Sequence, residues 1–148
     1  DMMLGMEPEA SGLDVIITRG IVMGLSKREA IDLVEEIGAF TELSDRFHMP
    51  VRTYSTGMML KLAFAVATTI TPDILLMDEI VGAGDAKFQD RAQKRLHDLM
   101  SRVSILVVAS HNEQLLKSFC SHALVLSHGK ITHRGTVDEC LAFYHVNG

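Results

Sequence analysis

The spacing of apolar and polar positions changes once along the chain, near Pro72. Before that point Ala30, Ile31, Val34 and Ile37 recur at the three-and-four spacing of one helical face. The run opens at Ser26-Lys27-Arg28-Glu29, a capping box in which Ser26 accepts a backbone N–H and Glu29 reaches back. Gly38 is expected to stop this helix. A second helix is predicted from Ser55 through Met59, Leu62, Ala63, Val66 and Ala67, ended by Pro72.

After Pro72 the pattern becomes strand, helix, strand. Ile74-Leu75-Leu76-Met77 is a continuous apolar run of the kind a strand buried on both faces shows. Residues 86–100 are polar and helix-forming, with Phe88, Ala92, Leu96 and Leu99 on one face. Ile105-Leu106-Val107-Val108-Ala109 reads as a second buried strand, and 112–119 as a short helix. Ala123–Leu126 and Lys130–Thr132 flank Ser127-His128-Gly129, a hairpin turn. Thr136-Val137-Asp138-Glu139 is a capping box opening a last helix through Leu141 and Tyr144. Strands alternating with helices imply a parallel α/β sheet. The expected organisation is therefore a helical piece over 1–71 and an α/β piece over 72–148.

Composition narrows the function classes. The 148 residues are 47% hydrophobic and 22% charged, enough for a real core and unlike a disordered tail. The net charge of −5 and pI near 5.8 argue against an electrostatic nucleic-acid binder. Apolar runs fall short of the ~18 residues a spanning helix needs, and a cleavable leader pattern is not found. Cys120 and Cys140 are too few for a disulfide scaffold and suit a reducing compartment. Seven of the nine Met precede residue 60, as core filling or as an adaptable interface. The chain opens on Asp1 in mid-pattern, so a fragment or processed form is expected.

Four short segments carry candidate chemistry. Ile74–Met77 delivers Asp78 and Glu79 to a strand's C-terminal edge, where open α/β sheets bind ligands. In a nucleotide hydrolase the first such carboxylate holds Mg²⁺ and the second polarises the attacking water. Tyr54-Ser55-Thr56-Gly57-Met58 begins a helix with a hydroxyl cap and a side-chain-free Gly57, an anion-site pattern. Val107-Val108-Ala109-Ser110-His111 ends a strand in an imidazole able to donate to a phosphate oxygen. Gly82-Ala83-Gly84-Asp85 is not a dinucleotide fingerprint, because Lys87 stands where the third Gly belongs. A G-x-x-x-x-G-K-[ST] loop is absent too: Gly129-Lys130 is followed by Ile131. Cys120, His122, His128 and His133 match no compact zinc spacing.

The order of these segments is more specific than any one of them. Together they resemble the ATP-binding subunit of ABC transporters. In that resemblance Tyr54–Met58 corresponds to the L-S-G-G-Q signature, with Lys61 at its trailing basic position, and Ile74–Asp78 to the Walker B strand. Glu79 corresponds to the catalytic glutamate, Gly82–Asp85 to the D-loop and His111 to the switch histidine. Tyr-Ser-x-Gly-Met together with Gly-Asp in the D-loop is similar to the branch exporting O-antigen, capsule or teichoic acid, as is Leu4–Glu9 to its post-Q-loop segment. The Q-loop falls near Asp1 or Met2, neither of which is Gln, and Ile80-Val81 replaces the usual Pro-Thr.

The resemblance implies a partial P-loop ABC-type ATPase core, with an inserted helical subdomain and a C-terminal β-hairpin and helix. It implies ATP and Mg²⁺ as ligands and two subunits head to tail. Ser55, Thr56 and Gly57 would face nucleotide, Asp78 would hold the metal, and Glu79 and His111 would serve catalysis. Asp85 would link the two sites. The partners implied are a transmembrane permease, a second copy and, indirectly, a polysaccharide, at the cytoplasmic face of the inner membrane, with no nucleic acid. The Walker A loop lies upstream of every motif present, so the isolated chain is expected to bind ATP poorly and not to turn it over. A non-transport ABC-type ATPase and an inactive interaction remnant are the alternatives.

Overall fold

A computed structural model describes residues 6–78 and 85–147. The chain forms two compact units, Asp1–Thr71 with Gly82–Leu99, and Pro72–Val81 with Met100–Gly148.

The first unit is helical. Helix α1 (Gly12–Val22) begins at a capping box of Ser11 and Asp14, and α2 (Lys27–Thr41) at the expected box of Ser26 and Glu29. Two short 3-10 turns, Ser44–Arg46 and Val51–Thr53, lead to α3 (Thr56–Ala67), capped by Ser55. The ends of α2 and α3 differ from expectation. Helix α2 runs past Gly38 to Thr41 and stops where Glu42 turns left-handed at φ 60°. Gly38 is instead a packing glycine: a methyl there would collide with the Ser44 hydroxyl and crowd Phe47. Helix α3 ends five residues before Pro72, where Thr68 and Thr69 hydroxyls donate to the Phe64 and Ala65 carbonyls.

The core of this unit joins Val15 and Ile16 of α1, Ile37 of α2, Phe47, Val51, Tyr54, and Leu62, Ala65 and Val66 of α3. Helix α4 (Ala86–Met100) presents the expected buried stripe of Phe88, Ala92, Leu96 and Leu99. A boundary at 71/72 assigns α4 to the α/β piece, but residues 86–99 group with the helical unit. The reason is chemical. Phe88 packs edge-on against Phe40 and Phe64, with ring centroids 5.3 and 6.0 Å apart. On the same helix Lys87 and Arg91 pair with Glu42, and Arg95 pairs with Glu36 and donates to the Thr69 hydroxyl.

The second unit carries the sheets. Strands β1 (Ile74–Asp78) and β2 (Ile105–Ala109) pair in parallel, with Asp78 opposite Ala109. Helix α5 (Glu113–Phe119) follows β2, capped by Asn112. Strands β3 (His122–Ser127) and β4 (Lys130–Thr136) form an antiparallel hairpin. Its turn residues His128 and Gly129 both take positive φ, 48° and 75°, as a two-residue turn matched to strand twist requires. Helix α6 (Val137–Asn147) starts at the expected box of Thr136 and Glu139, and its Cys140 thiol donates to the Ala123 carbonyl.

The strands were expected to be buried on both faces, and they are not. Burial alternates along β1 and β2, and Leu76 is 72% exposed, with Ile74, Ile105 and Val107 more than half exposed. Among the described residues β1 and β2 pair only with each other, and one row of their side chains stays more than half exposed.

Candidate functional site

The expected site residues fall into two groups, one in each unit. In the first unit the geometry centres on the start of α3. Val51 is fully buried and Tyr54 nearly so, and the Tyr54 hydroxyl donates to the Arg46 carbonyl at 2.8 Å. Burial also raises the Tyr54 pKa. These anchors fix the turn from which Ser55 caps the helix, its Oγ accepting from Met58 N–H at 3.2 Å. Tyr54 is thus a core residue, while Ser55 and Thr56 are exposed and Gly57 half-buried. The N–H groups of Thr56 and Gly57 belong to the first turn, where an α-helix offers no acceptor of its own. They and the positive end of the helix dipole face outward, an arrangement that binds phosphate.

Gly57 is informative because nothing among the described residues calls for it. A Cβ there would meet nothing closer than Ser55 Oγ at 4.0 Å, and its backbone is ordinary right-handed helix. By contrast Gly20 and Gly38 are enforced by packing, Gly20 against Ala30. A helical glycine costs roughly 0.5–1 kcal/mol relative to alanine. With no side chain at this position, the backbone at the start of α3 is open to close approach.

Asp85 lies in the same unit. Lys61 Nζ of α3 donates to its Oδ2 at 2.6 Å, and its Oδ1 accepts from Phe88 N–H at 2.9 Å. These contacts, Lys61 foremost, lower the Asp85 pKa to about 2. Both carboxylate oxygens are therefore engaged within one chain. This pairing spans 24 positions, and the sequence pattern singled out its two members without joining them.

In the second unit the parallel register sets Asp78 and Ala109 side by side, and His111 follows two residues later. The pair thus delivers a carboxylate and an imidazole at one edge. Ser110 Oγ accepts from Asn112 N–H at 3.0 Å, and Asn112 Oδ1 caps α5 through Leu115 N–H. Ser110, His111, Glu113, Leu116, Cys140 and Tyr144 are among the residues lining a cavity of about 310 Å³. Glu79 and Gly82–Gly84 lie outside the described residues. Asp78 suits Mg²⁺, which keeps several waters and takes one or two protein carboxylates alongside phosphate oxygens.

Solved structures place the fold. An ATP-binding subunit of an ABC transporter superposes with a TM-score of 0.73 at 18% identity, covering 96% of this chain and 59% of that one. CbiO1 from Clostridium perfringens, part of the ABC transporter complex CbiONQ, gives a TM-score of 0.58 at 20% identity, covering 99% and 58%. The fold is therefore that of ABC-type ATPase domains, present here in part.

Curated relatives share the sequence. The O-antigen export system ATP-binding protein RfbE of Yersinia enterocolitica is 46% identical over 127 residues, 86% of this chain and 53% of that protein. RfbB of Myxococcus xanthus, of the same description, is 35% identical over 97% of this chain and 33% of its own length. The teichoic acids export ATP-binding protein TagH of Bacillus cereus is 31% identical over 95% and 26%. No family model matches the chain. The chain is thus similar to ATP-binding proteins of O-antigen and teichoic acid export systems, and it spans about half the length of RfbE and less of the other two.

Proposed function

We propose that the intact protein is the ATP-hydrolysing subunit of an ABC transporter exporting a cell-surface polysaccharide. The observation that carries this reading is Gly57, a glycine at a helix start with no packing or backbone reason among the described residues. In the proposed arrangement two copies meet head to tail. The Ser55 hydroxyl and the Thr56 and Gly57 N–H groups of one copy face the γ-phosphate of ATP held by the other. Asp78 holds Mg²⁺, which when bound neutralises charge on the phosphate oxygens. Glu79 orients and activates the attacking water, and His111 donates to the γ-phosphate.

The half-exposed apolar rows of β1 and β2 support a core completed by residues beyond these 148. The partner is a membrane-spanning permease, engaged from the cytoplasmic face of the inner membrane. Among the described residues no helix is long and apolar enough to cross a membrane.

Reading the codons upstream of Asp1 and assaying the encoded polypeptide with its permease tests this. A strand leading into G-x-x-x-x-G-K-[ST], with Mg-ATP turnover abolished by Glu79→Gln, is the expected result. A start codon at that point, with no turnover in the assembled complex, overturns it.

A further inference from the structure

Asp85 and Lys61 do more than neutralise each other. Lys61 is 14% exposed, and its ammonium sits 5.3 Å from the Phe88 ring centroid. A cation so placed keeps a narrow choice of geometries, because the ring and the carboxylate both attract it and little of it reaches water. Asp85 is 59% exposed but held at both oxygens, Oδ2 by Lys61 and Oδ1 by the first turn of α4. Its backbone carbonyl also accepts from Gln89 N–H at 2.9 Å. Lys61 lies in the second turn of α3, the helix whose first turn carries Thr56 and Gly57. The charge pair therefore runs from just behind the phosphate-facing turn of α3 to the cap of α4.

We infer that Lys61 and Asp85 are positioning residues that lock the start of α3 to the start of α4, so that both helix ends respond together when nucleotide engages Ser55–Gly57. The inference rests on the proposed nucleotide site. Neither residue touches the phosphate, so catalysis should suffer more than affinity when the pair is cut.

Asp85→Asn is the informative variant. Its amide oxygen still accepts from Phe88 N–H, so the α4 cap survives while the charge is lost. Lys61→Met cuts the same pair from the other side, and Lys61→Arg keeps the cation. In the complete polypeptide assembled with its permease, Asp85→Asn and Lys61→Met each lower kcat about tenfold with KM for ATP within about twofold. The double variant is no worse than either single one, because one interaction is being cut twice. Lys61→Arg restores most of kcat. Wild-type kcat in the single variants, or losses that multiply in the double one, overturns the inference. Inactivity of the wild type overturns the nucleotide-site reading instead.

Amide exchange in the 148-residue chain covers the case in which assembly fails. Asp85→Asn should speed exchange at the Met58 N–H, which donates to Ser55 Oγ, about tenfold. Unchanged Met58 protection means that α3 does not sense residue 85, and the lock is disproved.

Discussion

Replacing Gly57 with alanine adds one methyl to the first turn of α3, and two readings of that glycine predict opposite outcomes. Within the chain the new Cβ has Ser55 Oγ at 4.0 Å as its nearest neighbour, an ordinary contact. Alanine is the better helix former, by roughly 0.5–1 kcal/mol in a helix interior, so the chain should be stabilised. At about 2–4 °C per kcal/mol for a chain of this size, the melting temperature should rise by roughly 1–4 °C. Phosphate binding should suffer, because the methyl stands over the N–H groups that a γ-phosphate must approach. Loss of one preorganised backbone donor costs on the order of a hundredfold in kcat, the fall expected in the assembled transporter. The assays are a thermal melt by circular dichroism on the 148-residue chain and Mg-ATP turnover in the complete complex. Gly38→Ala is the control: it collides with Ser44, so it should lower the melting temperature, with a cost of about 1–3 kcal/mol. Gly57→Ala that destabilises the chain, or that leaves turnover intact, refutes the reasoning.

Other consequences are equally concrete. Phe88 is completely buried among Phe40 and Phe64, so Phe88→Ala should cost about 3–5 kcal/mol, read from the urea midpoint of the chain. Ser55→Ala removes the cap of α3 and should cost about 1 kcal/mol in the same assay. Gly129 sits at φ 75° in the hairpin turn, and Gly129→Val should destabilise by at least about 1 kcal/mol. Stability should also fall in acid with a defined sign. Hydrogen bonds from Ser26 lower the Glu29 pKa, Lys87 and Arg91 lower that of Glu42, Thr136 lowers that of Glu139, and Lys61 takes Asp85 from 3.8 to about 2. Each group favours the fold above its unfolded pKa and loses that contribution as pH drops through its folded one. The urea midpoint should therefore decline from about pH 4.5 toward pH 2, and Lys61→Met should move the lowest step of that decline upward.

What was legible in the residues was local. The boxes at Ser26–Glu29 and Thr136–Glu139, the stripe from Phe88 to Leu99 and the turn at His128-Gly129 each depend on neighbours a few positions apart, and each is present. Helix α1 carried the same signal in Ser11-x-x-Asp14, and the pattern reading passed over it. Gly38 misled because a packing glycine and a stop glycine look alike until the facing residue, Ser44, is known. The pairing of Lys61 with Asp85 was not legible either, since it depends on how α4 docks in its unit. Burial of the strands failed for a related reason. An apolar run such as Ile74–Met77 reports the environment a strand suits, whereas its exposure depends on which neighbouring layers are present.

Mg-ATP turnover by the complete polypeptide with its permease, wild type against Gly57→Ala, tests the central claim most directly. The account predicts turnover in the wild type and a loss of about a hundredfold in a variant that melts at an equal or higher temperature. Equal turnover from the two proteins would contradict it, because no phosphate would then be approaching the start of α3.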